Sequence, residues 1–92
     1  MNIAKEILEL ESTWNQMDSD ELIENVRNAL QDKGLTTYTD TIKELSVVTQ
    51  STKHTVEAWI NSGRKNVKIP FLKLCMIAVN YDIDIYQLLN IN

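Results

Sequence analysis

The 92-residue chain has few of the residues that interrupt a helix or crosslink a fold: one proline, two glycines and one cysteine. A sequence with so few helix breakers among many good helix formers is typical of an all-helical protein. The single cysteine, Cys75, excludes an internal disulfide. Because it lies in an apolar run between Phe71 and Ile77, we expect it to be a small buried hydrophobic side chain.

Long apolar runs and a secretion signal are also missing. No stretch approaches the roughly 18 apolar residues that a membrane helix requires. The first ten residues contain acids instead of a basic segment followed by an apolar one. We therefore expect a cytoplasmic protein that contacts no membrane.

Charge is distributed unevenly along the chain, which has a formal net charge of -4. Residues 1–42 hold three basic and nine acidic side chains, whereas residues 43–73 hold six basic and two acidic ones. Because salt screens charges beyond about 8 Å, such local clustering matters more than the total for attracting a ligand. The segment 43–73 is therefore a candidate basic face for nucleic acid, although an ordinary solvated surface rich in lysine has the same composition.

The beginning of the chain has a helical apolar stripe. Its members recur at alternating spacings of four and three residues, which predicts an amphipathic helix in a segment 1–17, ahead of a second unit at 18–92. Two heptads are too short for an independent coiled coil. The stripe must therefore pack on the rest of the chain or on a second copy of it. Its residues are Ile3, Ile7, Leu10, Trp14 and Met17.

Capping signals predict where the other helices begin. Thr41 followed three residues later by Glu44 matches a capping box, so a third helix is expected to start near Ile42, with Thr39 as an earlier alternative. The second helix is expected to close at Lys33 and Gly34. Similar signals predict helices that begin after Asp18-Ser19-Asp20, at Lys53 behind Thr52 or Ser51, at Pro70 and after Asp84.

The stretch from Leu45 to Gly63 predicts two short helices joined by a tight polar turn. Ser46 is small enough for the second helix to approach the first, and the apolar Val56 and Trp59 would anchor that second helix to the core. Two helices joined in this way form a helix-turn-helix, whose free helical face can enter the major groove of DNA.

From Thr41 to Leu89 the sequence resembles the phage repressor and Cro-like helix-turn-helix domains, the XRE family. Leu45-Ser46 stands where that family has Leu-Ala, and Gln50 replaces its usual turn glycine at a position that often takes a left-handed conformation. The resemblance implies an all-α, five-helix lambda-repressor-like domain, here with an extra N-terminal helix. The other matching positions are Thr52, Val56, Trp59, Leu74, Ile77-Ala78, Tyr81, Ile83-Asp84-Ile85 and Leu88-Leu89.

The resemblance implies a sequence-specific DNA-binding transcriptional regulator of phage or mobile-element origin in a bacterium. Its recognition helix, about 52–61, would lie in the major groove of double-stranded DNA, and a homodimer would bind a palindromic operator. The dimer surface could be the N-terminal stripe or the last helix with Ile91. Carried over from the family pattern, the base contacts fall on Lys53, His54, Glu57, Ala58 and Asn61, and the phosphate contacts on Thr41, Gln50, Thr52, Arg64, Lys65 and Asn66.

A second interpretation keeps the fold but not the DNA. The acidic total charge and Glu57, in the middle of the expected recognition helix, favour a protein-interaction module such as an antitoxin, an antirepressor or an inhibitor. A glutamate at that position would repel phosphates unless a cytosine or a bridging water receives it.

Catalytic and metal-binding patterns are not recognisable in the sequence. His54 is the only histidine, so no second histidine can complete a metal site with it. Neither a Ser-His-Asp arrangement nor a glycine-rich phosphate loop can be argued from these residues. We predict that the protein is not an enzyme and has no catalytic residue, metal, cofactor or small-molecule substrate.

Overall fold

A computed structural model describes residues 3–61 and 67–91, which form six helices and no strands. The all-helical class expected from the sequence is confirmed. The helices are α1 (Ile3–Gln16), α2 (Ser19–Asp32), α3 (Tyr38–Val48), α4 (Lys53–Ile60), α5 (Phe71–Asn80) and α6 (Ile85–Leu88).

The apolar core is built around α2. This helix packs against α4 and α6, while α3 packs against α4 and α5. Each helix from α2 onward contributes the side chains that its 3.6-residue spacing places on one face. The buried apolar side chains are Leu22, Ile23, Val26, Ala29, Leu30, Ile42, Leu45, Val56, Trp59, Ile60, Ile69, Leu74, Ile77, Ala78, Ile83, Leu88 and Leu89.

Helix α3 begins earlier than the capping box at Thr41 predicted. Thr37 is its N-cap, and its side-chain oxygen accepts a hydrogen bond from the backbone amide of Asp40 at 3.2 Å. Thr41 therefore lies inside the helix, where its hydroxyl donates to the carbonyl of Thr37 at 2.7 Å. The start near Ile42 was wrong, whereas the earlier alternative near Thr39 agrees with the observed start to within one residue. Thr37 and Thr41 each have an acid three residues later, and the earlier cap lets the chain form one more helical turn.

The other helix ends agree more closely with the sequence. Gly34 follows the end of α2 with φ of +96°, the left-handed conformation that favours glycine after a helix. Asp84 caps α6 by accepting from the amide of Tyr86 at 2.9 Å. Asp18 stands at the N-cap of α2 but makes no side-chain capping bond, and Pro70 lies just before the first turn of α5 instead of within it.

Helix α1 buries only part of its apolar stripe. Leu10, Trp14 and Met17 pack partly buried against the core, whereas Ile3 and Ile7 are 64% and 49% exposed. The stripe thus packs within the chain at its C-terminal end and is left open at its N-terminal end.

Lys68 attaches the C-terminal end of α1 to the segment that precedes α5. Its Nζ donates to the carbonyl of Met17 at 2.6 Å and to the carbonyl of Trp14. Cations are favourable at a helix C-terminus because they face unpaired carbonyl groups. Burial lowers the pKa of Lys68, and the nearby carboxylate of Asp18 opposes that shift.

Side-chain hydrogen bonds join the C-terminal segment to α2. The amide of Asn25 donates to the carbonyl of Leu88 and to Oδ1 of Asn90, both at 3.0 Å, and the amide of Asn90 donates to Glu21 at 2.6 Å. Leu88 and Leu89 are buried in the core. The last helix is therefore occupied by packing within the chain.

Candidate nucleic-acid interface

Helix α4 is a short helix held to the core by one face. Thr52 is its N-cap, as expected, because its hydroxyl accepts from the amide of Thr55 at 3.1 Å. Val56, Trp59 and Ile60 are buried. With only eight residues, the helix depends on this packing because isolated helices of that length are not stable in water.

The turn before α4 is formed without glycine. Gln50 takes the left-handed conformation, with φ of +54°, that its place in the family pattern predicted. Ser46 Oγ donates to the carbonyl of Ser51 at 2.6 Å, so the small residue that allows the helices to approach also bonds across the turn.

Thr49, which precedes Gln50, is fully buried although it is polar. Its hydroxyl donates to the carbonyl of Leu45 at 2.6 Å, and its own carbonyl accepts from Nζ of Lys73 at 2.6 Å. These bonds satisfy polar groups that would be costly to bury unpaired. They also connect the turn to α5.

The candidate base-contacting residues lie together along α4. Lys53, His54 and Glu57 are exposed, and Ala58 is half-buried beside them. Because residues three and four apart share a face of a helix, Lys53 and Glu57 are neighbours, as are His54 and Ala58. Helix α1 leaves this face uncovered, since its C-terminal end instead contacts residues 68 and 69.

Asn61 is exposed but already hydrogen-bonded. Its side-chain amide donates to the hydroxyl of Tyr38 and to the carbonyl of Glu57, both at 3.0 Å. Tyr38 is the first residue of α3 and is 47% exposed. Sequence reasoning missed Tyr38 because it placed the start of α3 too late; the Thr37-Asp40 spacing is the signal that would have found it.

The candidate phosphate-contacting residues have different surroundings. Gln50 and Thr52 are exposed at the N-terminal end of α4. Thr41 is only 8% exposed, and its hydroxyl is engaged by the carbonyl of Thr37, so a phosphate contact from it stays a prediction. Arg64, Lys65 and Asn66 lie outside the described residues.

Comparison with known proteins adds no relative. No protein-family model, curated protein or solved structure matches the chain. The resemblance to helix-turn-helix domains therefore rests on the residues themselves.

Among residues 3–61 and 67–91, no group of three or more His, Cys, Asp and Glu side chains is placed to hold a metal ion. Within the same residues, none of the helices combines the length and apolar character needed to cross a bilayer. Cys75 is half-buried, not fully buried as expected, and burial raises the pKa of its thiol.

The outward side of α4 presents hydrogen-bond donors and acceptors to the surroundings. Lys53 offers an ammonium group, Glu57 a carboxylate, and Asn61 an amide held by Tyr38. Such side chains can form hydrogen bonds to the edges of flat polar groups.

Proposed function

We propose that the protein binds double-stranded DNA sequence-specifically and regulates transcription in the bacterial cytoplasm, and that it originates from a phage or other mobile element. In this proposal α3, the turn and α4 are a helix-turn-helix of the XRE type, and α4 enters the major groove. One observation carries the proposal: α4 buries Val56 and Trp59 while Lys53, His54 and Glu57 stay exposed along its other side.

Four side chains on α4 or at its C-cap each have a base that they could recognise. Lys53 can donate to guanine, Glu57 can accept from the amino group of cytosine, and Ala58 can touch a thymine methyl group. Asn61 would pair with adenine, provided that its amide exchanges the bond to Tyr38 for one to the base. Base contacts of this kind set which sequence is preferred.

Phosphate contacts would set the affinity. Gln50 and Thr52 precede the first residue of α4, and Arg64, Lys65 and Asn66 follow its end in the sequence. Each charged contact to a phosphate steepens the salt dependence of binding by about one unit of slope. Because a single module makes few contacts, two copies on a palindromic operator would provide useful affinity.

A second candidate function is binding to a protein through the same face. Glu57 is exposed in the middle of α4, and the net charge of the chain is -4. Both features weaken attraction to a phosphate backbone. On this alternative the protein is an antitoxin, antirepressor or inhibitor whose α4 binds a partner protein.

The deciding experiment is selection of bound sequences from random duplexes, followed by anisotropy titration of the selected site at low salt. We expect Lys53→Ala and Asn61→Ala each to relax base preference, by about 1–3 kcal/mol at one position. Arg64→Ala and Lys65→Ala should weaken binding to all sequences alike. Lys33→Ala, which removes an exposed lysine at the end of α2, is the matched control and should leave sequence preference unchanged.

Absence of duplex binding at about 50 mM salt, where phosphate contacts are strongest, would overturn DNA binding and favour the protein-interaction alternative. If base preference is unchanged in both Lys53→Ala and Asn61→Ala, bases are read by another part of the chain.

A further inference from the structure

An open apolar groove runs between α1 and α5, and its floor reaches α6. It has a volume of about 760 Å³. None of its lining residues belongs to α3 or α4, so the groove is separate from the candidate nucleic-acid interface. Its walls are mainly apolar, with Glu11 and Asp82 as their acidic members.

Exposed apolar side chains are concentrated around this groove. Ile7, Leu72 and Val79 line it and are 49%, 69% and 83% exposed. Ile3 lies one turn before Ile7 and extends the groove side of α1, and Leu8 lies one turn before Glu11 at the outer edge of that side. These five account for most of the large apolar side chains that are exposed in the described part of the chain.

The exposed area of these five side chains has the size of a contact surface. Together they present roughly 600 Å², at the upper limit of the largest apolar patch of a typical monomer. If two copies cover each other's patch, about 1,200 Å² is buried in total, which reaches the lower limit of stable, specific interfaces.

We infer that this groove face, formed by Ile3, Ile7, Leu8, Leu72 and Val79, is the surface through which a second copy of the chain binds. The inference deepens the proposed function and rests on it for the choice of partner, since a palindromic operator requires two copies. The last helix, the other candidate surface, has its leucines buried in the chain's own core. A contact through the groove face leaves the outward side of α4 free on both copies.

The acidic residues of the groove predict how the dimer responds to salt. A second copy brings the same Glu11 and Asp82, so the contact must be held by apolar burial and opposed by like charges. Screening those charges should leave dimerisation unchanged or strengthen it. A foreign partner with lysines or arginines beside its apolar residues would instead bind more weakly as salt rises.

Sedimentation equilibrium of the full chain without DNA tests the inference, since the chain has a mass of 10.6 kDa and a dimer twice that. Val79→Glu places a charge in the groove and should raise the dimer Kd at least about tenfold. Val47→Glu is the matched control and should leave the Kd within about twofold. Val47 is also the second-last residue of its helix and is 72% exposed, but it lies outside the groove.

Leu72→Glu, at a side chain that is 69% exposed, provides an independent variant if Val79→Glu disturbs the fold. Alkylation of Cys75, which lies in the groove, adds a second readout and should slow as protein concentration passes the Kd.

Three results would overturn the inference: a wild-type chain that stays monomeric at about 1 mM, a dimer that Val79→Glu and Leu72→Glu do not weaken, or a dimer that dissociates as salt rises. DNA titration is measured separately. A dimer that forms without DNA but binds no duplex would support the groove contact and overturn the proposed function. A chain that stays monomeric but binds single half-sites of the selected operator would support the proposed function and overturn the groove contact.

Discussion

The indole Nε1 of Trp14 donates a hydrogen bond to the carbonyl of Ile69 across 2.8 Å. The two residues are 55 positions apart in the sequence, and the bond joins α1 to the segment that leads into α5. Nζ of Lys68 lies over the same indole, 4.6 Å from the centroid of the ring. The ring centroids of Trp14 and Phe71 are 6.0 Å apart. Trp14 is therefore one of the main residues that attach α1 to the rest of the molecule.

Replacing Trp14 by phenylalanine should destabilise the protein. The ring would still pack, but the partly buried carbonyl of Ile69 would lose its donor, and the cation over the ring would interact with a weaker partner. We expect a loss of about 1–3 kcal/mol in the free energy of unfolding, measured by chemical denaturation. Ser12→Ala, at an exposed position of the same helix, should change it by less than about 0.5 kcal/mol. Equal effects of the two substitutions would contradict this role for Trp14.

Gln50→Gly should stabilise the protein. For a residue other than glycine, φ of +54° costs conformational free energy. Relief of that strain should exceed the free-energy cost of the greater freedom that glycine has in the unfolded chain. The expected gain is about 0.5–1 kcal/mol in the free energy of unfolding. The same substitution in a helix, Gln31→Gly in α2, should have the opposite sign and lose about as much. A loss at position 50 would mean that the glutamine side chain stabilises the turn.

Tyr81→Phe should make the protein slightly more stable at neutral pH. The hydroxyl of Tyr81 is buried, and no group in the described part of the chain hydrogen-bonds to it. Removing an unsatisfied buried hydroxyl should raise the free energy of unfolding by about 0.5–1.5 kcal/mol, measured by thermal or chemical denaturation. Tyr38→Phe removes a hydroxyl that accepts a hydrogen bond from Asn61, and it should therefore not stabilise the protein.

The same tyrosine gives a pH dependence with a defined sign. Burial, assisted by the carboxylate of Glu44, raises the pKa of Tyr81 above its ordinary value of 10.0. The folded protein therefore retains this proton when the unfolded chain has begun to lose it, so stability falls as pH rises from about 10 through the folded-state pKa. In Tyr81→Phe that decline should be shallower. The decline in stability that remains would include a contribution from Tyr86, whose pKa is raised mainly by its hydrogen bond to Glu6.

Local signals predicted much of the candidate interface. The cap at Thr52 and the burial of Val56 and Trp59 depend on interactions three or four residues apart, which a sequence displays directly. For α3, the start near Ile42 was wrong and the alternative near Thr39 was correct to within one residue. Two threonine caps compete four residues apart, and local spacing alone does not rank them. The left-handed conformation of Gln50 was anticipated from its place in the family pattern.

By itself, the sequence determined the helical class, the order of the helices and the face that each of α2 to α5 turns inward, because periodicity and capping act over one or two turns. Only the tertiary structure decided that Trp14 packs while Ile3 and Ile7 remain exposed, that Tyr38 holds Asn61, and that Cys75 lines an open groove. These features join residues that are distant in the chain. Their formation depends on how the helices cross and where the core ends, which a single helix's spacing does not encode.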